Sequence, residues 1–384
     1  MDLNLKASDV GGKLLFASFF IPYIGLISPA YAIIIFLTIL RVDKSFKITM
    51  YDFIYIVVLL LFLLIKFSQV GFGTGEAIFR YYLGAVILYH FVKVYDIKMD
   101  IQTLIFAFCV CVIIEAVVIN IFFDPFRYLP NYPISVYENN LTSHYTKFMG
   151  FYQRPYSVGM NSSASSTVLC AAMIYRDVLV KKGLIIADRK IELLGLITVL
   201  MMASGVGLIL YFFYILFKFN ILTVKRSLIL FSILILLFLY YPLVSEYIAP
   251  DSIFQKVSAG YIQFLSDYKT QQVEDVIAEL HEPGNSMFIG KAFESKADIT
   301  LQSDFAWNDM FICLGLGGIT LFIMFFINKV NKYTVFPLLL LLLGAFHYGG
   351  MFTLAGQIVL VLILTTDYES ESELETQNQT NIAI

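Results

Sequence analysis

Apolar runs recur along the whole chain, separated by short polar connectors. They fall at about residues 13–27, 29–40, 51–68, 77–95, 101–123, 158–178, 188–203, 205–219, 227–247, 306–327, 333–347 and 350–366. Stretches such as Ile54–Ile65 and Leu228–Leu239 hold no charged residue. A membrane-crossing helix takes about 17–25 apolar residues, fewer where it crosses only partway. The pattern therefore predicts an all-α polytopic membrane protein. Two junctions admit two readings. Leu14–Leu40 is either one long tilted helix or a hairpin broken at Ser28-Pro29, and Ile191–Phe219 is either one helix or two meeting at Ser204-Gly205.

Lysine and arginine decide between them, because cytoplasmic connectors carry the positive excess. Taking both as hairpins gathers Arg41/Lys44/Lys47, Lys93/Lys98, Arg176/Lys181/Lys182/Arg189/Lys190, Lys218/Lys225/Arg226 and Lys329/Lys332 on one side. Merging either hairpin scatters these clusters over both sides. About twelve transmembrane segments follow, with both termini cytoplasmic. Residues 1–366 then form one integral membrane domain with two long external loops, 124–157 and 246–304. The second loop carries Ile253, Val257, Tyr261, Leu265 and Tyr268 at amphipathic-helix spacing, ended by His281-Glu282-Pro283-Gly284. Residues 367–384 read as an acidic, disordered cytoplasmic tail. No internal repeat is visible, which weighs against a transporter built from duplicated halves.

Composition sharpens this picture. Of 384 residues 59% are hydrophobic and 14% charged, against about 25% charged in a soluble domain. The net charge of −3 offers nothing to nucleic acid. Cys109, Cys111, Cys170 and Cys313 all sit in apolar segments, where they read as small hydrophobes rather than a disulfide framework or metal cluster. The first apolar run lacks a small-x-small cleavage site and reads as a retained segment.

Candidate chemistry lies in the predicted external parts. The stretch Asp124–Asn161 is rich in aromatics and proline and carries Arg127, Lys147 and Arg154. External arginines run against the usual bias, so Arg80, Arg127 and Arg154 call for a reason. Arg80 follows Glu76 by four residues, the spacing of a helical ion pair. Arg154 precedes Pro155 and a helix starting near Val158, with Asn161 or Ser162 placed to cap it. Amide dipoles and a guanidinium together suit a phosphate group; interfacial snorkelling or pairing with Glu138 competes. A second constellation is Ser303–Gly318, with Asp304, Trp307 and Asp309 at the mouth of a helix. Its acids serve either as caps or as a general base, and Gly315, Gly317 and Gly318 suit close helix packing. A third is the sharp turn Met201–Gly207. His347 lies at a helix end, and His144 and His281 in loops, where a hydrogen-bonding role outweighs catalysis. Within the spans Glu115 and Lys66 are the nearest ionisable residues, Lys66 expected to reach the surface. Hydrolase and ATPase motifs are absent.

Three pieces together resemble the O-antigen and capsule polymerases (the Wzy type) and the related O-antigen ligases. They are Arg154-Pro155-Tyr156-Ser157 ahead of a small-residue helix, the Ser204-Gly205 turn, and Asp304 leading to the Gly315-Leu316-Gly317-Gly318 cluster. The resemblance implies a GT-C-like, metal-independent glycosyltransferase without a cofactor. It would join undecaprenyl-pyrophosphate-linked oligosaccharides at the outer face of the bacterial plasma membrane, and it admits a chain-length regulator as partner. By the same resemblance Arg154 contacts the donor pyrophosphate with Arg80 or Arg127 assisting, and Asp304 or Asp309 is the base. Sugar contact falls to Tyr152, Tyr156, Ser204, Trp307 and His347. Ligases carry a histidine where Trp307-Asn308-Asp309 stands, which favours a polymerase; a lipid-linked oligosaccharide flippase is the reading from another class.

Overall fold

A computed structural model of the chain describes residues 3–20, 49–121, 147–148, 152–155, 157, 161–220, 226, 229, 232, 259–293 and 305–368. Among these, helices dominate: α1 (Leu3–Phe20), α2 (Met50–Val70), α3 (Phe72–Tyr82), α4 (Gly84–Tyr95), α5 (Ile101–Ile121) and α6 (Ser162–Lys181). They continue with α7 (Arg189–Met202), α8 (Gly205–Lys218), α9 (Ala259–Leu280), α10 (Ala306–Ile327), α11 (Val335–Gly344) and α12 (Leu354–Thr365). A 3-10 turn at Gly350–Phe352 and an antiparallel two-residue ribbon complete the described elements. The ribbon pairs β1 (Lys147–Phe148) with β2 (Tyr152–Gln153), Phe148 opposite Tyr152.

Four helices, α2, α5, α6 and α10, are long and apolar enough to cross a membrane. A fifth span arises if α3 and α4 are taken as one. The segments expected at 29–40 and 227–247 lie outside the described residues, apart from isolated positions. The segment expected at 77–95 is not one straight helix: α3 and α4 meet at Leu83 with a bend of 65°. Such a break leaves backbone carbonyls without helical partners. Gln357 of α12 meets the need, its buried amide donating to the carbonyls of Arg80 at 3.0 Å, Tyr81 at 2.8 Å and Phe352 at 3.1 Å.

The chain divides into two compact units, Met1–Ile54 with Phe79–Ile215 and Phe325–Ile384, and Tyr55–Ile78 with Leu216–Met324. In the first, α6 is the central element, buried from Ser162 to Leu179. Its opening run Ser162-Ser163-Ala164-Ser165-Ser166 presents small side chains that let neighbours approach closely. A Cβ on Gly344 of α11 would lie 2.2 Å from Thr167, and one on Gly350 would lie 2.6 Å from the Ala164 carbonyl. Near its other end α6 carries Arg176, which the charge pattern groups with the basic residues of the connector that follows. Its side chain is only 1% exposed, paired with Asp177 at 2.8 Å and Glu192 at 3.2 Å and donating to the Asp188 carbonyl. An ammonium or guanidinium in an apolar interior persists only with such partners.

The junction at Ser204-Gly205 is a chain reversal. Ala203 takes a left-handed conformation (φ 48°), and Ser204 caps α8 by accepting from the Gly207 amide at 3.1 Å. The Tyr211 hydroxyl comes within 3.5 Å of the Glu192 carbonyl. In a continuous helix those residues would stand roughly 28 Å apart at about 1.5 Å per residue, so α8 folds back along α7.

In the second unit α10 is broken. Gly315 has φ 61° and ψ −168°, and the Trp307 ring lies 5.8 Å from that of Phe322. Fifteen residues of straight helix would put those rings' backbones about 22 Å apart, so the two halves of α10 fold against one another. Its apex receives the turn Ser286–Lys291. The Lys291 amide donates to the Ile312 carbonyl at 2.7 Å, and the Leu316 and Gly317 amides donate to the Met287 and Phe288 carbonyls, each at 2.9 Å. The glycine cluster therefore accommodates this turn rather than a neighbouring helix: a Cβ on Gly315 would sit 2.6 Å from the Phe288 backbone. The preceding helix, α9, ends at Leu280 as its His-Glu-Pro-Gly stop signal predicts. Of its proposed apolar face only Tyr268 has a described side chain, and it is exposed, whereas Val276 and Leu280 are buried. Ile253 and Val257 lie outside the described residues.

Replacing Arg176 by alanine removes the buried guanidinium that pairs with Asp177 and Glu192 and is expected to destabilise the protein by about 3–5 kcal/mol. Thermal unfolding in detergent, compared with Lys190→Ala as an exposed control, checks this.

Candidate functional site

The best-defined polar constellation gathers at the amino end of α6. Asn161 caps that helix, its side chain accepting from the Ala164 amide at 2.7 Å with extended backbone geometry. Helix onset is thus at Ser162, four residues beyond Val158, and Asn161 is the cap. Just upstream the ribbon delivers Tyr152, Gln153 and Arg154, with β2 packed against α5.

Two bonds pin this segment on either side of Arg154. The Tyr152 hydroxyl donates to the Met201 carbonyl at 2.6 Å, fastening it to the α7–α8 turn. The Ser157 amide donates to Glu115 Oε2 at 2.9 Å. Ser157 has φ 54°, a left-handed conformation that a non-glycine residue adopts at a cost of about 1–2 kcal/mol. A hydrogen bond to a carboxylate is worth about 1.5–3 kcal/mol and offsets that strain. Burial pushes the Tyr152 phenol above its ordinary range, and the Glu115 carboxylate pushes it further, so Tyr152 remains a neutral donor at physiological pH. Arg154 itself is half-exposed between these anchors.

Ser204 joins the same neighbourhood. Its hydroxyl and that of Ser163, both buried, lie 2.9 Å apart, tying the α7–α8 turn to the first turn of α6. His347 follows α11 between Gly344, which abuts Thr167, and Gly350, which abuts Ala164. It is half-exposed, with its ring 4.4 Å from that of Tyr348. Arg80 enters through Gln357, which holds its carbonyl, and through Tyr81, whose ring lies 6.1 Å from Phe352 in the adjoining 3-10 turn. Tyr152, Arg154, Ser204, His347 and Arg80 therefore all belong to the first unit, around the amino-terminal half of α6.

The other candidates are placed differently. Asp309, in the first turn of α10, is buried, and Trp307 is half-buried against Phe322; both belong to the second unit. Asn308 between them donates to the Gln272 carbonyl of α9 at 2.9 Å. Asp304, Arg127 and Tyr156 lie outside the described residues, as do Glu138 and His144. Among the described residues no three His, Cys, Asp or Glu side chains gather to hold a metal.

Glu115 is the residue that sequence reasoning underrated. It was legible only as the lone acid of a 21-residue apolar helix, and an intramembrane acid is a functional candidate by default. What it holds became visible only once Ser157 was placed beside it. Comparisons with protein-family models, with curated proteins and with solved structures return no match.

Glu115→Leu removes the acceptor for the Ser157 amide, and that amide is expected to exchange its hydrogen about tenfold faster or more. Glu115→Gln keeps an acceptor oxygen and should retain most of the protection. Site-resolved hydrogen–deuterium exchange in detergent reads both.

Proposed function

We propose that the protein is a polysaccharide polymerase of the Wzy type. On this reading it transfers a growing glycan from undecaprenyl pyrophosphate to a hydroxyl of the next lipid-linked oligosaccharide, at the outer face of the bacterial plasma membrane. The observation that supports the proposal is that the segment carrying Arg154 is pinned on either side, at Tyr152 and at Ser157, seven positions ahead of the Asn161 cap of α6. A departing pyrophosphate concentrates negative charge, and a preorganised guanidinium beside helix amides stabilises it without a metal.

The sidedness rests on contacts as well as on charge. Connectors assigned to the cytoplasm meet one another: Lys329 pairs with Asp52 at 2.9 Å, Lys182 lies 4.5 Å over the Tyr333 ring, and Gln102 donates to the Ile186 carbonyl. The external set, Tyr152 with Met201 and Ser163 with Ser204, does likewise. These pairs support a common inner end and a common outer end for the first unit; the proposal adds both termini on the inner side and about twelve spans, on the charge pattern alone.

In the proposed reaction Arg154 binds the donor pyrophosphate, with Arg80 and Arg127 as further cations. Tyr152, Tyr156, Ser204 and His347 line the sugar path, and Trp307 stacks on the acceptor. The base is Asp304 or Asp309, which takes the acceptor hydroxyl proton as the sugar–oxygen bond forms and the bond to the pyrophosphate breaks. Trp307-Asn308-Asp309 in place of a histidine favours polymerase over ligase.

Broken helices and intramembrane ions also occur in transporters, so a flippase is the second reading. Depth argues for the enzyme. Lys66 stands four residues and Glu115 six residues before the ends of their helices. At about 1.5 Å per residue they stand roughly 6 and 9 Å from those helix ends, not midway along their helices, where a transport path would need them.

Purified protein given one lipid-linked repeat unit is expected to make a ladder of products. Arg154→Ala should lower the rate at least about 100-fold, near the effect of losing one preorganised oxyanion donor, with Arg154→Lys intermediate. Unchanged ladders in Arg154→Ala would remove Arg154 from the chemistry, and translocation without ladders would favour the flippase.

A further inference from the structure

Lys66 was expected to extend to the surface, yet it is completely buried. Its ammonium donates to the Lys291 carbonyl at 2.7 Å and to Gln69 Oε1 at 2.9 Å. Gln69, oriented by that bond, donates in turn to the carbonyls of Gly290 at 3.0 Å and Gly284 at 3.2 Å. Both side chains lie one turn apart on α2, so a single helix face grips the turn Ser286–Lys291 by its backbone. Lys66 and Gln69 hold the turn through its carbonyls.

The turn on its other side is seated in the apex of α10. It supplies the acceptors for Leu316 and Gly317 and the donor for Ile312 that the break at Gly315 leaves without helical partners. Four further contacts bind it in place. Phe62 meets Phe288 edge-on at 6.4 Å, Lys291 pairs with Glu279 of α9, the Ala292 amide donates to Asn285, and Gly290 packs over the backbone of Cys313. The Ala306–Leu314 half of α10 is therefore not oriented by a continuing helix. Its pitch is set by the turn, and the turn is held by α2.

A fully buried lysine whose partners are neutral carbonyls is an expensive way to hold a loop. An apolar side chain would pack there without desolvating a charge. What the ammonium adds is direction, since it fixes one carbonyl and, through Gln69, two more.

We propose that Lys66 and Gln69 are positioning residues: they latch the Ser286–Lys291 turn into the break of α10 and so fix the half-helix bearing Trp307 and Asp309 for the acceptor sugar. The latch itself stands on the geometry alone. Its role toward an acceptor rests on the polymerase reading. Cys313, 3% exposed beneath Gly290, reports the latch directly.

The experiment measures alkylation of Cys313 in purified full-length protein by a small maleimide, read by site-resolved mass spectrometry, beside product formation at varied acceptor concentration. Lys66→Met is expected to speed Cys313 labelling at least tenfold and to raise the acceptor KM or lower kcat tenfold, leaving the donor KM within twofold. Lys66→Arg, which keeps a charged donor, should restore both toward the starting protein. Gln69→Ala, the milder lesion, should fall between. Unchanged Cys313 labelling in Lys66→Met and Gln69→Ala overturns the latch. Faster labelling with unchanged acceptor kinetics overturns the positioning role while the polymerase stands. Absence of any ladder from the unaltered protein removes the polymerase and the positioning role with it, whereas the labelling result still judges the latch.

Discussion

In an apolar interior every backbone amide and carbonyl needs a partner, because each one left bare costs several kcal/mol and no water is at hand to supply it. A continuous helix meets that need within itself. This chain interrupts its helices at Leu83, at Ala203-Ser204 and at Gly315, and each interruption is answered by a dedicated group. Gln357 takes the carbonyls of Arg80 and Tyr81. The Ser204 hydroxyl takes the Gly207 amide. The turn Ser286–Lys291 takes three groups at the apex of α10. Two described candidates stand at these repairs: Arg80, whose carbonyl Gln357 takes, and Ser204, which caps α8 itself.

The buried ions follow the same logic with larger energies. Arg176 meets Asp177 and Glu192, Lys329 meets Asp52 beneath the rings of Tyr89 and Phe325, and Glu115 meets a strained backbone amide. Lys66 differs from these in that its described partners are uncharged oxygens. The Lys329–Asp52, Glu115–Ser157 and Lys66–Lys291 pairings tie together elements far apart in sequence, so these charges act as registration marks between helices that apolar packing alone would leave free to slide.

How far the site was legible in the chain depends on whether its determinants are local. The Asn161 cap, the reversal at Ser204-Gly205 and the stop after α9 were readable, because capping residues, small-residue turns and Pro-Gly pairs act within a few positions of themselves. Arg154 was readable as an exception to the charge bias. Glu115 and Lys66 were not, since an isolated charge in an apolar helix announces a partner without naming it. Arg176 shows a related limit: position near a basic connector says nothing about whether the side chain turns inward.

What the amino-acid sequence determined by itself is the helical, membrane-suited character of the chain and several of its helix ends, for hydropathy and capping are properties of neighbouring residues. Only the tertiary structure decided that α3 and α4 are bent apart, that α10 folds at Gly315 around an incoming turn, and that Ser157 is held by Glu115. The deciding bonds are non-local: from Gln357 to Arg80, 277 positions apart, from Glu115 to Ser157, 42 apart, and from Lys291 to Ile312, 21 apart, with Lys66 reaching Lys291 across 225. Backbone groups freed by a break attract whichever donor or acceptor the fold brings close, and no local pattern records which one that will be.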